Sequence, residues 1–166
     1  MIHNLKTKVE NHYKVECFDK HGNLKWVEEF DNLVVTAGLN AALTATLKTI
    51  PSSVSWYVGL KGTGSVVAAD TMASHAGWST ITPYSNATDP AWTPGSVSAG
   101  SVDNSASKAV FNINASTTVY GCFLKDSSTK GAATGTLYGG GDFSASRAVV
   151  SGDTLNVTVT CSMTSS

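Results

Sequence analysis

The side chains that could carry chemistry are few and far apart. His3, His12, His21 and His75 form no HExxH pair and have no carboxylate at metal-ligand spacing, so they read as exposed or turn histidines. Cys17, Cys122 and Cys161 show no CxxC spacing and sit in apolar or alternating stretches. Three widely spaced thiols in such settings read as small buried hydrophobes, unpaired, in a chain made in a reducing compartment. Glycoside cleavage would need two carboxylates roughly 5–10 Å apart. Glu28 and Glu29 are adjacent, which on a strand points them to opposite faces. Asp70, Asp89, Asp103, Asp126, Asp142 and Asp153 are isolated, most of them beside Gly, Ser or Asn as turn acids are. No G-x-S-x-G elbow, P-loop or G-x-G-x-x-G occurs, and Gly62-Thr63-Gly64-Ser65 lacks the lysine and helix of a phosphate cradle. The expectation is a protein that is not an enzyme, with no catalytic residue, no metal ligand and no cofactor.

Composition narrows the partners. The chain has 166 residues, of which 42% are hydrophobic and 14% charged, against the roughly 25% charge usual in soluble domains. Ser, Thr, Asn and Gly must therefore cover the surface, as they do on the solvent side of strands and in turns. A net charge of −1 offers no basic field for phosphates, so direct binding to nucleic acid is not expected. No run of about 18 apolar residues suggests a membrane span, and no apolar stretch follows Lys6 and Lys8 as it would in a signal peptide. Without one, Asn86-Ala87-Thr88, Asn114-Ala115-Ser116 and Asn156-Val157-Thr158 read as chance glycosylation matches.

The elements that must position any site are mostly strands. Tyr13, Val15 and Cys17 alternate with Lys14 and Glu16, a turn cluster runs from Asp19 to Asn23, and Leu24 and Trp26 flank Lys25; this predicts a β-hairpin. Leu39, Leu43 and Leu47 recur at i, i+4 and i+8 within Ala37 to Lys48, which predicts one short α-helix with Thr36 as N-cap and Pro51 as the stop. Its apolar face is narrow, so the helix is expected against a sheet edge or a neighbouring subunit. After Val54 the period becomes two. Trp56, Val58 and Leu60 share a face, Asp70 to Gly77 suggests a helical turn, and Trp78 to Tyr84 reads as an edge strand because it contains Pro83. Ser85 to Ser105 shows no sustained period and reads as a long loop. Ala109, Phe111 and Ile113 mark another strand face, Val119 to Leu124 a central strand, and Leu155, Val157, Val159, Cys161 and Met163 the clearest alternation in the chain. Gly139-Gly140-Gly141 and Ser151-Gly152-Asp153 are expected as turns.

The fold class that follows is all-β: a β-sandwich or jelly-roll-like barrel with an N-terminal hairpin and one short α-helix. Residues 1–166 are expected to form one domain. Twelve of the 23 charged residues lie between Lys6 and Lys48, which marks residues 1–50 as a charged hairpin-plus-helix segment and residues 51–166 as a Ser/Thr/Gly-rich sandwich. Trp26 and Trp56 fall on core registers. Trp78 and Trp92 flank the Pro-containing loop, and with Leu39, Leu43 and Leu47 they are the candidate interface residues.

Several ordered segments carry a resemblance: Asn32 to Asn40, Trp56 to Gly62, Ala69 to Trp78, Pro90 to Gly95, Ser101 to Phe111 and Val150 to Thr158. Over about Lys14 to Thr160 the chain resembles a family of small virion structural proteins of tailed bacteriophages. The resemblance, with the size and the all-β reading, implies a capsid decoration or cement protein made in the host bacterial cytoplasm and located on the capsid surface. Its expected partners are the major capsid protein and copies of itself. The alternatives are a carbohydrate- or receptor-binding module of a head or tail fibre, stacking sugars on Trp78, Trp92 and Tyr84, or a tail or connector component. No functional residue is carried over from the family.

Overall fold

The computed structural model describes residues 7–48 and 54–165. Two antiparallel sheets face each other. The first has the order β2-β1-β11-β7, from Leu24–Asp31, Thr7–Phe18, Thr154–Ser165 and Ser101–Asp103, and β8 (Ala109–Asn112) also pairs with β11. The second has the order β3-β10-β9-β4-β5, from Leu33–Val34, Leu137–Val149, Thr117–Lys125, Trp56–Lys61 and Thr80–Ile81, and β6 (Ala91–Trp92) also pairs with β4. The all-β class expected from the alternation is the class observed, with one α-helix among the described residues, α1 (Thr36–Leu43).

Register explains why the strand pattern was so readable. β1 and β11 pair along their whole lengths, with Tyr13 opposite Val159, Val15 opposite Val157 and Cys17 opposite Leu155, and all six side chains have no exposure. With Phe30, Phe111, Val58, Leu60, Val119, Leu124 and Tyr138 they form the main core between the sheets. The charged hairpin is therefore half of one sheet, with β1 held between β2 and β11. The second sheet is covered on its outer face too: Met72 and Trp78 from the loop after β4 pack with Val35, Phe123 and Leu137. This double cover accounts for the nearly unbroken apolar run Cys122-Phe123-Leu124 in β9.

Several local expectations change. Gly139-Gly140-Gly141 lies inside β10 and makes no turn; a Cβ at Gly139 would meet the Leu33 carbonyl oxygen at 2.4 Å, and one at Gly141 would meet the Asp31 carbonyl oxygen at 2.8 Å. These glycines let β10 pass close under the β2–β3 connection. Gly152 does make a turn, with φ of +93° between β10 and β11. Asp70 to Gly77 is not a helical turn: Asp70 Oδ2 accepts from the Val67 N–H and from Trp78 Nε1, both at 2.9 Å, and pins an irregular loop. The stretch read as one long loop contains β6 and β7, each of two or three residues and too short to show a period.

The helix also differs in detail. Val35 occupies the N-cap position with no side-chain cap. Backbone carbonyls replace it, because the Val35 and Thr36 N–H groups donate to the Tyr138 and Ala68 oxygens at 3.1 and 2.9 Å. After Leu43 the coil widens into a π-helical turn, Thr44–Lys48, where the Thr46 hydroxyl donates back to the Ala42 oxygen at 2.7 Å. Pro51, expected to stop the helix, lies outside the described residues.

Candidate functional site

Helix α1 sits on the second sheet through its smallest residues. Gly38 is buried against β10, where a Cβ would stand 2.0 Å from the Tyr138 carbonyl oxygen, and Ala42 packs on the main core. Seating the helix on Gly38 and Ala42 turns Leu39, Leu43 and Leu47 outward. They are 39%, 58% and 77% exposed, so the apolar stripe does not lie on the sheet edge. No residue from Thr36 to Leu47 is charged.

Beside this helix a groove of ≈660 Å³ opens at one end of the sandwich. Ala42 and Ala45 form one wall, Trp56, Trp92 and Tyr138 the floor, and Met163 part of the rim. Val54, Val97 and Met163 on that groove are 50%, 74% and 44% exposed. With the three leucines they make up half of the large apolar side chains exposed among the described residues. Isolated exposed apolar residues are ordinary, and it is larger exposed apolar areas that proteins use to meet partners; here three such residues lie on the outward side of the helix and three on the groove.

The candidate residues separate into two groups. Leu39, Leu43 and Leu47 on the outward side of the helix, and Trp92 in the groove beside it, form the first. Trp92 is half-buried, pairs with Trp56 across β4 and β6, and donates from Nε1 to the Val159 oxygen at 3.0 Å, tying the two sheets beneath the groove. Trp78 does not join them. It is 5% exposed, stacked on His75 at 4.1 Å between ring centroids and tilted against Phe123 at 5.1 Å, so its indole packs the outer face of the second sheet. Tyr84, 1% exposed, is buried as well. The stacking surface of Trp78, Trp92 and Tyr84 considered above therefore has no common solvent face. Trp26 and Trp56 pack partly buried on the core, as their registers suggested.

The remaining chemistry-bearing groups are held in structural contacts. Glu28 and Glu29 do point to opposite faces: Glu29 is exposed beside His12 and Lys14, while Glu28 is 4% exposed. Glu28 joins the edges of the two sheets, accepting from Arg147 Nε at 2.7 Å and from the Ser144 hydroxyl at 2.9 Å. Burial pushes its carboxyl group up, but the hydrogen bonds from Arg147 and Ser144 outweigh burial and hold it below the usual carboxylate range. The cysteines are unpaired, and burial pushes the Cys17 and Cys161 thiols up to about 12, which suppresses thiolate chemistry. Among the described residues no group of three His, Cys, Asp or Glu could hold a metal ion, and no helix is long and apolar enough to cross a membrane.

Residues that sequence reasoning missed belong to both kinds of environment. Ala42, Ala45 and Val97 line the groove but carry no distinctive spacing, and Met163, which the alternation places on the inward face with Val159, is 44% exposed at the groove. Lys61 and Lys125 each end an apolar strand, where a surface lysine is the usual occupant, yet both have no exposure. Their carboxylate partners, Asp142 and Asp89, lie far along the chain, so no local pattern could have announced them. Comparison of the chain with known protein families and with curated protein sequences finds no match.

Proposed function

We propose that this chain is a structural protein of a tailed-phage particle that binds the assembled head as a decoration or cement subunit. The observation that carries the proposal is the uncharged helix bearing Leu39, Leu43 and Leu47 next to a largely apolar groove at one end of the two-sheet frame. The phage assignment rests on the resemblance of the ordered segments from Asn32 to Thr158, and the partner surface rests on the geometry of that end.

The mechanism is linkage. A subunit that binds the mature shell and not the free coat protein adds its binding free energy to the stability of the particle. An apolar end suits that role because it contributes through area removed from water, and its uncharged helix presents no like charge to a shell. Several copies engaged at once would convert weak contacts into a lasting one.

The test is to add purified protein to heads that lack it and to count copies on a quantitative gel. Occupancy on the order of hundreds of copies, following the repeated lattice of the shell, supports the proposal, and decorated heads should rupture at a higher temperature than bare ones. No association with mature heads overturns it. About a dozen copies or fewer per particle would place the protein at a connector or tail instead.

A further inference from the structure

Lys125, Asp89 and Tyr84 meet in a site closed to water, with exposures of 0%, 2% and 1%. Lys125 ends β9, and Asp89 stands just before β6. Lys125 Nζ lies 2.8 Å from Asp89 Oδ2 and donates to the Thr129 carbonyl oxygen at 2.7 Å. The other carboxyl oxygen, Oδ1, accepts the Tyr84 hydroxyl.

The hydrogen-bonding partners do not match an ammonium–carboxylate pair. An ammonium has three N–H donors, and the described residues offer Lys125 two oxygen acceptors; its other neighbour is the Phe123 ring, with its centroid 5.9 Å away. Burying a charge with a donor left over is costly. A secondary amide joining Nζ to the Asp89 Cγ fits the same surroundings without remainder. Its single N–H faces the Thr129 oxygen, and its carbonyl oxygen, the former Oδ1, receives the Tyr84 hydroxyl. Lys61 provides the contrast within the same molecule. Its Nζ has three oxygen acceptors, from Gly62, Gly64 and Asp142, and Asp142 is 40% exposed. That site suits an ion pair.

We propose that Lys125 and Asp89 condense into an intramolecular isopeptide bond, with Tyr84 as the donor that polarises the reacting carboxyl group. A proton passes from the ammonium to Asp89 Oδ2, giving an amine and a carboxylic acid. The Nζ lone pair forms the N–C bond to Cγ, the bond from Cγ to Oδ2 breaks, and the hydroxyl leaves with a proton from nitrogen as one water. Charge and atoms balance, and no oxidant or reductant takes part. The two groups are already in contact, which removes most of the entropic barrier to their meeting, and a dry site disfavours return by hydrolysis. Burial first, and then the bond to Asp89, raises the Tyr84 hydroxyl well above the usual phenol range, so it stays a donor at neutral pH. The bond would fasten the segment leading into β6, and with it Trp92 under the groove.

The test is the intact mass of the purified, fully denatured chain, followed by a tryptic map. The expected chain is lighter than its sequence by one water, and digestion yields a branched peptide joining the Asp89 segment to the Lys125 segment, with no cleavage after Lys125. Asp89→Asn should lose one ammonia instead of water, and Tyr84→Phe should lower the bonded fraction. A wild-type chain of full mass overturns the proposal, as does a water loss that maps to any other residue, such as a cyclised aspartate. No particle enters this measurement, so its outcome is separate from that of the decoration reading.

Discussion

Two stretches of the chain carry apolar side chains at equally regular intervals and finish in opposite surroundings. Leu155, Val157 and Val159 on β11 have no exposure, whereas Leu39, Leu43 and Leu47 are 39%, 58% and 77% exposed. Hydrophobicity does not separate them. β11 has β1 on one edge and β7 and β8 on the other, and its inner face looks across at Val58, Leu60 and Tyr138 of the second sheet. Helix α1 reaches that sheet with Gly38 and Ala42, which points the leucines away. Regular spacing identifies a face, and a second surface must exist to cover it. For β11 the chain supplies that surface; for α1 the described residues do not.

The largest effect should come from putting a charge on the covered face. Val157→Asp would bury an unpaired carboxylate among Val15, Phe111 and Val58 and should cost about 4 kcal/mol, a large part of the stability of a domain this size. Thr158→Asp points the other way, opposite Lys14 on β1, and should cost less than about 1 kcal/mol. Urea unfolding of the two variants measures the difference. Equal costs would mean that the register, and with it the contrast between the two faces, is wrong.

An intermediate effect is expected where a polar group holds an inward position. Glu28 shares the inner face of β2 with Trp26 and Phe30, and it is tolerated there because Arg147 and Ser144 on β10 meet it across the gap between the sheet edges. Its folded carboxyl group is held below the unfolded value of about 4.3. Its contribution to stability is therefore complete above the unfolded value and is lost as the pH falls through the folded one. Glu28→Gln should cost about 1.5–3 kcal/mol at pH 7, and the gap from wild type should narrow when unfolding is measured near pH 3. A gap of the same size at both pH values would show that the charge on Glu28 is not what joins the sheets.

What could be read in the sequence follows from how far each signal reaches. The β1–β2 hairpin and β11 were legible because both register and turn are local: alternation over six or more residues, then Asp19 to Asn23 or Ser151 to Asp153. The spacing of Leu39, Leu43 and Leu47 is local in the same sense and marked one helical face, whereas Trp92 was chosen as a candidate interface residue only for its place beside the Pro-containing loop. Trp78 was grouped with them although it is buried, because Phe123 and Leu137, which pack with it, come from distant strands, and only the folded loop shows the indole donating to Asp70. Gly139 to Gly141 suggested a turn because glycine's usual role is conformational; here it serves the close passage of Leu33 and Asp31 over β10. Lys61 and Lys125 gave no sign of burial at all, since each depends on an aspartate contributed by a distant segment.

The smallest effect on folding should come from the open face, and there it should coincide with a large effect on binding. Leu47→Lys replaces a side chain that is 77% exposed in the last helical turn, where a cation is favourable to the helix dipole. The isolated chain should change stability by less than about 0.5 kcal/mol. If the leucine face meets the shell, however, the substitution removes apolar contact area and forces a charge toward an apolar partner. Affinity for bare heads should then fall by about 2 kcal/mol, or roughly thirtyfold. Urea unfolding and head occupancy, measured on one preparation, read the two effects side by side. A loss of stability comparable to that of Val157→Asp would mean that Leu47 is covered within the chain and that the two stretches are alike after all. Unchanged stability with full occupancy would leave the face without a role in particle binding. Unchanged stability with weakened occupancy is the combination that only a surface covered by the particle produces.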